Sequence, residues 1–207
     1  LLVQAWQRGA SPLQLQVALG GGVSAAVDVL QQDWQVDSNA DGVPSNASVQ
    51  WRIEVPAPPA MLVFGAGAET PTLLPLLRSL GWMTTLVERR ARWQAEAGHA
   101  DAWIDAAPET AFGSLSGNHY TAALVMNHNF EMDREALHAL ADTAIPFIGL
   151  LGPNRRREDL FRVLPPAARE ALLPRLHSPV GLKLGGHGPE AIALSIAAQL
   201  QAYRFSQ

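Results

Sequence analysis

Short apolar segments alternate with amphipathic segments from residue 61 to the end of the chain. Apolar runs of strand length predict β-strands at residues 61–64, 83–87, 102–104, 122–126 and 147–150. Apolar residues at helical spacing predict helices from Pro71 to a stop at Gly81, over residues 133–141, and from Pro189 through residues 191–200. Such alternation is typical of a parallel sheet that helices cover on both faces. The predicted fold class is α/β, a Rossmann-like doubly wound parallel sheet with a short N-terminal appendage.

The first 60 residues have a different pattern. Residues 49–55 alternate apolar and polar side chains, which predicts one half-buried strand, and the Ser, Asn, Asp, Gly and Pro residues of 37–48 predict a loop before it. Residues 56–60 are rich in proline and predict a stiff linker. We therefore divide the chain into an appendage (1–55), a linker (56–60) and a Rossmann-like domain (61–207).

Composition narrows the function classes. A net charge of −4 lacks the basic footprint of a nucleic-acid-binding protein, so no nucleic-acid partner is expected. No apolar run is long enough to cross a bilayer and no secretory pattern opens the chain, so we expect no membrane association and a cytoplasmic location. With no cysteine among its 207 residues, the chain cannot supply a thiol nucleophile, a persulfide or a thiolate metal ligand.

A glycine turn joins the first predicted strand of the domain to its first helix. Gly65, Ala66 and Gly67 would let a ligand approach the backbone beside a helix N-terminus, where unpaired N–H groups favour negative charge. Thr70, however, stands where a dinucleotide fingerprint has its third glycine, which argues against standard NAD geometry. Two interpretations stay open: a nucleotide or phosphate site, and a tight turn with a structural role only.

Polar side chains also follow the second and fourth predicted strands, and the carboxyl ends of parallel strands meet at one sheet edge. Glu88, 23 positions after Gly65, could bind a ribose hydroxyl, or could be a solvated acid paired with Arg89. His128, between Asn127 and Asn129, is the best candidate for proton chemistry or ligand contact, and a structural histidine is the alternative. Asp133 could orient His128 or cap the next helix. A lone imidazole is a poor metal site, so we predict no metal.

Two later segments could complete an anion site at this edge. Consecutive helical residues point about 100° apart, so Arg155, Arg156 and Arg157 cannot all face one ligand, and Arg155 is our candidate. Gly185 and Gly186 lie in a second glycine-rich approach to a helix, which either brings backbone donors to the ligand or only turns the chain.

Several of these motifs, taken in order, resemble one known family. The segments are Gly65-Ala66-Gly67, Val87-Glu88-Arg89, Val125 to Asn129, Ile148 to Pro153, His177 to Leu182 and Gly188 to Ala193. They resemble the C-terminal Rossmann-like domain of the xanthine dehydrogenase accessory family (XdhC/CoxI type). The resemblance covers about residue 49 to the C-terminus. Two positions depart from the family pattern: Glu88 replaces the commoner aspartate, and Asn127 stands where threonine is common.

The resemblance implies a chaperone that binds the molybdenum cofactor (molybdopterin or its dinucleotide form) and delivers it to a molybdenum hydroxylase such as xanthine dehydrogenase. It also implies a sulfurating cysteine desulfurase as a further partner, and a homodimer is considered. The family usually carries an N-terminal domain with a Cys-Gly-Gly-like motif, which this chain lacks. No catalytic residue is assigned. The expected cofactor-binding residues are Gly65, Ala66, Gly67, Glu88, Asn127, His128, Asn129, Arg155, Gly185 and Gly186.

Two other functions stay open. The first is an NAD(P)-dependent oxidoreductase that uses the same cleft, favoured by the glycine turn and Glu88 but without a Tyr/Lys-type catalytic pair. The second is an interaction domain that only docks a partner enzyme.

Overall fold

The computed structural model describes residues 1–18, 22–35, 49–115 and 119–206. The predicted loop at residues 37–48 lies outside these ranges. The described residues form two compact units that divide between Pro58 and Pro59, within the proline-rich segment. His119 is grouped with the first unit.

The first unit is a small antiparallel sheet with one helix. Its elements are α1 (Leu2–Arg8), β1 (Leu13–Ala18), β2 (Gly22–Val27), β3 (Leu30–Gln35) and β4 (Val49–Val55), and the strand order is β3-β2-β1-β4. Leu2 of α1 packs with Ala25 and Val27 in a small core. The sequence predicted β4 but missed β1 to β3. Alternation of Leu13, Leu15 and Val17 with glutamines was the signal available for β1.

The second unit alternates strands and helices. Its strands are β5 (Ala60–Phe64), β6 (Met83–Val87), β7 (Ala102–Ile104), β8 (Ala122–Val125), β9 (Phe147–Leu150) and β10 (Leu176–His177). Its α-helices are α2 (Thr70–Ser79), α3 (Pro108–Ala111), α4 (Phe130–Ala141), α5 (Asn154–Val163), α6 (Pro166–Leu172) and α7 (Pro189–Arg204). Short 3-10 segments cover Ala91–His99, Phe112–Ser114 and Leu173–Arg175.

The six strands form one parallel sheet in the order β10-β9-β8-β5-β6-β7. The chain starts in the middle with β5, adds β6 and β7 on one side, and returns to add β8, β9 and β10 on the other. This is the doubly wound Rossmann order, so the predicted fold class is confirmed. The order reverses between β5 and β8, and the loops that follow these strands therefore flank a crevice.

Both faces of the central strands β5, β8 and β9 are buried, which explains their continuous apolar runs. All five residues of β5 are buried. On one face Leu62 and Phe64 belong to a core with Leu137 of α4, and on the other Met61 and Val63 belong to a core with Leu73 of α2 and Ile196 of α7. The central strand is thereby held firmly, and so is the start of the loop that leaves it.

The structure differs from the prediction at the start of one helix and in one additional strand. Helix α4 begins at Phe130, not at Asp133, because the Asn129 side chain accepts a hydrogen bond from the Met132 N–H (3.0 Å) and caps the helix. Strand β10 was not predicted, since its two residues are too short for a periodic signal. Among the helices described, none combines the length and apolar character needed to span a bilayer.

Candidate functional site

The site candidate lies at the carboxyl edge of the second unit's sheet, beside the crevice between β5 and β8. Gly65, which follows β5, has a φ of +88° and donates its N–H to the Val87 carbonyl at 2.9 Å. A Cβ on Gly65 would lie 2.4 Å from the Asn127 Cα, closer than any real Cβ contact. Glycine is required here because the loop after β8 comes so close and because φ is positive.

The next two N–H groups of the turn are already bonded within the protein. Ala66 donates to the Glu88 Oε2 at 3.0 Å, and Gly67 donates to the Thr70 hydroxyl at 2.9 Å. Thr70 is fully buried, so the residue at the third-glycine position closes the turn with its side chain. The turn therefore offers a ligand no free N–H from Gly65, Ala66 or Gly67.

Glu88, which follows β6, is fully buried and paired with Arg90. The Arg90 Nη2 lies 2.5 Å from the Glu88 Oε2, and the Arg90 backbone N–H donates to the Glu88 Oε1 at 2.7 Å. Burial alone would raise the pKa of Glu88, but the hydrogen bonds and positive charge of Arg90, with the Ala66 N–H, lower that pKa below its ordinary value. The carboxylate is thus ionised and has a cationic partner. Sequence analysis considered Arg89 for that partner, and the structure corrects it to Arg90.

Arg90 also connects the two loops of the crevice. Its Nη1 donates to the Asn127 carbonyl at 2.7 Å, and its Nη2 donates to the Ala66 carbonyl at 3.2 Å. One guanidinium group therefore links the loops after β5 and β8 while it neutralises Glu88.

Asn127 is buried beside the glycine turn and bonded to Asp133 of α4. The Asp133 Oδ1 accepts hydrogen bonds from the backbone N–H and the side-chain Nδ2 of Asn127, each at 3.0 Å. The Asp133 Oδ2 accepts from Arg156 of α5, including an Nε contact at 2.9 Å. Asp133 therefore neither caps the helix nor hydrogen-bonds His128, the two roles considered from sequence; it fixes the loop after β8.

His128 contacts the glycine turn from the opposite side of the crevice. It has a φ of +53°, and its Nε2 lies 2.8 Å from the Glu69 Oε1. The Glu69 side chain is 5% exposed and that of His128 is 49% exposed, so the imidazole lies outside the carboxylate. The hydrogen bond that the His128 ring donates to Glu69 raises the pKa of His128, and the charges of Glu69 and Asp133 act in the same direction, against burial and Arg156. A Cβ on Gly67 would lie 2.6 Å from the His128 Nε2 and 2.7 Å from the Glu69 Oε1.

Several predicted site residues make no direct contact with this cluster in the described part of the chain. The Arg155 side chain is 89% exposed and lies near Asp159, whereas Arg156 reaches Asp133. Gly185 and Gly186 have positive φ values. In their loop the Leu184 N–H donates to the Leu182 carbonyl, and the Leu182 N–H donates to the Ser195 carbonyl of α7. Asn129 serves as the N-cap of α4.

Sequence analysis did not identify Glu69 as a site residue, although its position two residues after Gly67 was the available signal.

Three buried carboxylates, two with an arginine partner and one with a histidine partner, therefore form the cluster. They are the pairs Glu69–His128, Glu88–Arg90 and Asp133–Arg156. Each carboxylate is stabilised by its partner, and Glu88 and Asp133 also accept hydrogen bonds from backbone or amide donors. Of the six side chains, that of His128 is the most exposed, so it is the group best placed to meet a polar ligand. In the described part of the chain, no three acidic or imidazole groups converge as a metal site would need.

Comparison with known proteins places the second unit in a defined family. Residues 61–200 match the family described as the XdhC Rossmann domain. The chain is 31% identical over 145 residues to a protein of Bacillus subtilis (strain 168) named as a probable xanthine dehydrogenase subunit, a match that covers 69% of this chain and 42% of that protein. It is 38% identical over 69 residues to the uncharacterized protein YqeB of Escherichia coli (strain K12), covering 33% of this chain and 13% of that protein.

A solved structure of similar fold extends the comparison to both units. It is described as a xanthine dehydrogenase from Bacillus halodurans, and it matches 96% of this chain and 61% of its own with a TM-score of 0.68 and 24% identity. At this identity the likeness concerns the fold. The chain spans less than two thirds of the length of each of these relatives.

Proposed function

The chain belongs to the XdhC family, whose Rossmann domain it carries, and from this premise we propose that it binds the molybdenum cofactor. In this proposal it is a chaperone that delivers the cofactor to a molybdenum hydroxylase of the xanthine dehydrogenase type. The name of the Bacillus subtilis relative, a probable xanthine dehydrogenase subunit, supports that choice of partner.

The observation that carries the proposal is the convergence of His128 and the glycine turn at the switch point of the sheet. In open α/β sheets ligands bind in the crevice outside the carboxyl ends of the strands at such a point. The His128 Nε2 lies 2.6 Å from where a Cβ on Gly67 would be, so both sides of the crevice meet at one place. That place is half exposed, since 49% of the His128 side chain is accessible.

The residues at the crevice fit a polar ligand that carries a phosphate. An imidazolium can pair with a phosphate, and the raised pKa of His128 favours the charged form of its ring. A pterin ring system offers amide-like donors and acceptors, which could hydrogen-bond with the half-exposed ring of His128. Glu69 is the group that opposes an incoming phosphate here.

The proposed role is binding and protection, with no covalent step on this chain. Its 207 residues contain no thiol, so a sulfur atom for the cofactor would come from a partner such as a cysteine desulfurase. The proposed delivery requires contact with the recipient enzyme while the cofactor is held in the crevice.

Titration of the purified protein with three ligands tests the proposal. Molybdenum cofactor freshly released from a purified molybdoenzyme is compared with NAD(H) and NADP(H), with pterin fluorescence and calorimetry as readouts. Saturable cofactor binding without hydride transfer is expected. Tight binding of a nicotinamide cofactor with turnover would contradict the chaperone function and indicate an oxidoreductase. Binding of neither class would leave a domain that only docks a partner.

A further inference from the structure

The place that a Rossmann ligand's phosphate would take in this chain is filled by a carboxylate of the protein itself. Glu69 lies at the N-cap position of α2, and its two carboxylate oxygens would be 2.7 and 2.9 Å from a Cβ on Gly67. A glycine at this position normally leaves room for the backbone to approach a pyrophosphate. Here that room holds Glu69.

We propose that Glu69 is an internal competitor for the anionic group of the ligand and that the two exchange for the same partner, His128. In the free protein Glu69 pairs with His128 at 2.8 Å. A bound phosphate would take over the imidazole, and Glu69 would move toward solvent. Glu69 thereby sets the affinity of the crevice for phosphate-bearing ligands. This inference rests on the proposed binding of such a ligand at the same crevice.

Two features of the surroundings require the carboxylate to leave before an anion can bind. The N–H groups of Gly65, Ala66 and Gly67 are bonded to Val87, Glu88 and Thr70, so the turn has no spare donor that could hold a phosphate alongside Glu69. The second feature is charge, because an uncompensated carboxylate beside a phosphate costs free energy that grows as water is excluded. The His128 ring carries at most one positive charge, and one charge cannot neutralise both the carboxylate and the phosphate.

An unsatisfied acceptor beside the turn is an independent sign that a ligand completes this crevice. Asn127 is fully buried, and its Oδ1 has no hydrogen-bond partner among the described residues. This oxygen faces the turn, since a Cβ on Gly65 would lie 2.5 Å from it. Buried side-chain acceptors without a partner are rare and costly. A shift of the turn on ligand entry would open this oxygen to a donor group.

The test uses Glu69→Gln, which keeps the shape and a hydrogen bond to His128 but removes the charge. Glu69→Ala also removes the bulk, and Glu170→Gln makes the same charge change on the exposed surface of α6. The probes are inorganic pyrophosphate and the molybdenum cofactor, measured by calorimetry on variants whose circular dichroism matches that of the wild type. Both Glu69 variants should bind pyrophosphate and the cofactor more tightly, by about 5- to 10-fold for Glu69→Gln, and the control should match the wild type.

The two probes separate this inference from the proposed function. Cofactor binding by the wild type with unchanged or weaker binding by both Glu69 variants would overturn the competitor role and leave the chaperone proposal standing. Tighter pyrophosphate binding by the variants, with no cofactor binding by any protein, would support the competitor role and overturn the proposed cargo. Absence of binding for both probes in all variants would overturn both.

Discussion

A single oxygen of Asp133, its Oδ1, accepts two hydrogen bonds from Asn127, one from the backbone N–H and one from the side-chain amide, each at 3.0 Å. The other oxygen is held by Arg156, so one buried carboxylate joins α4, α5 and the loop after β8. The conformation of the His128 segment depends on this arrangement, because Asn127 precedes His128 directly.

Replacement of Asp133 by Ala should therefore destabilise the protein strongly. The change leaves the Arg156 charge and two buried N–H donors without a partner, which costs about 3–5 kcal/mol in comparable buried pairs. Urea unfolding followed by circular dichroism measures the loss. Glu131→Gln, which breaks the exposed Glu131–Arg134 pair, is the matched control and should cost less than about 1 kcal/mol. Equal losses in the two variants would contradict the role assigned to Asp133.

Removal of the Arg90 charge should reverse the direction of the Glu88 pKa shift, and with it the pH dependence of the stability that Glu88 contributes. In the wild type the pKa of Glu88 is lowered from its ordinary 4.5, so its stabilising contribution is present above that pH and lost as pH falls through the folded pKa. In Arg90→Gln burial acts without the guanidinium and should raise the pKa of Glu88. The variant's deficit in unfolding free energy should then be larger at pH 7 than at pH 4.5. A deficit that is independent of pH would exclude this coupling.

The Glu69–His128 pair should make a contribution to stability that declines with rising pH. The pKa of His128 is raised above its ordinary 6.5, so the contribution is complete below that value and disappears as pH rises through the folded pKa. NMR titration of the His128 ring checks the direction, and Glu69→Gln should bring the pKa of His128 down. If the pKa of His128 were the same in Glu69→Gln as in the wild type, the Glu69–His128 pairing would be contradicted.

Alanine at Gly65 should be far more harmful than alanine at Gly98. The positive φ of Gly65 alone costs an L-residue about 1–3 kcal/mol, and its Cβ would also meet the Asn127 Cα at 2.4 Å. A Cβ at Gly98 meets nothing within 4 Å, so Gly98→Ala should be nearly neutral. Thermal unfolding of the two variants compares them directly. If Gly65→Ala were as stable as the wild type, the loops after β5 and β8 could move apart without a loss of stability, and glycine would not be required at this position.

Valine at Gly67 should weaken ligand binding more than it weakens the fold. Its side chain would enter the space over the turn, 2.6 Å from the present position of the His128 Nε2, and displace the imidazole. Titration of Gly67→Val with the molybdenum cofactor measures the effect, and Gly98→Val provides the control. Unchanged affinity in a folded Gly67→Val protein would remove the turn from the binding site.

The sequence predicted most of the second unit's sheet because β5, β8 and β9 are buried along their whole length and appear as continuous apolar runs. It missed β10, whose two residues are too few for a pattern, and it missed β1 to β3, although alternation at Leu13, Leu15 and Val17 was present. Short and half-buried strands depend on partners that local sequence does not reveal.

The location of the candidate site could be predicted, but its pairings could not. Topology alone brings the ends of β5, β6 and β8 to one edge, which is why Gly65, Glu88 and His128 are close together. Whether Arg155 or Arg156 faces the cluster depends on helix phase. Whether Arg89 or Arg90 meets Glu88 depends on the direction of each side chain from a segment outside the helices and strands. A shift of one residue turns a side chain by about 100° on a helix, and spacing along the chain does not settle that choice.

The guanidinium of Arg90 bonds to the loops after β5 and β8, through the carbonyl oxygens of Ala66 and Asn127. Because one rigid planar group holds both carbonyls, it fixes the distance between the two loops before a ligand binds. A ligand that requires a different distance has to break one of these hydrogen bonds, and a substitution at Arg90 would affect the positions of both loops.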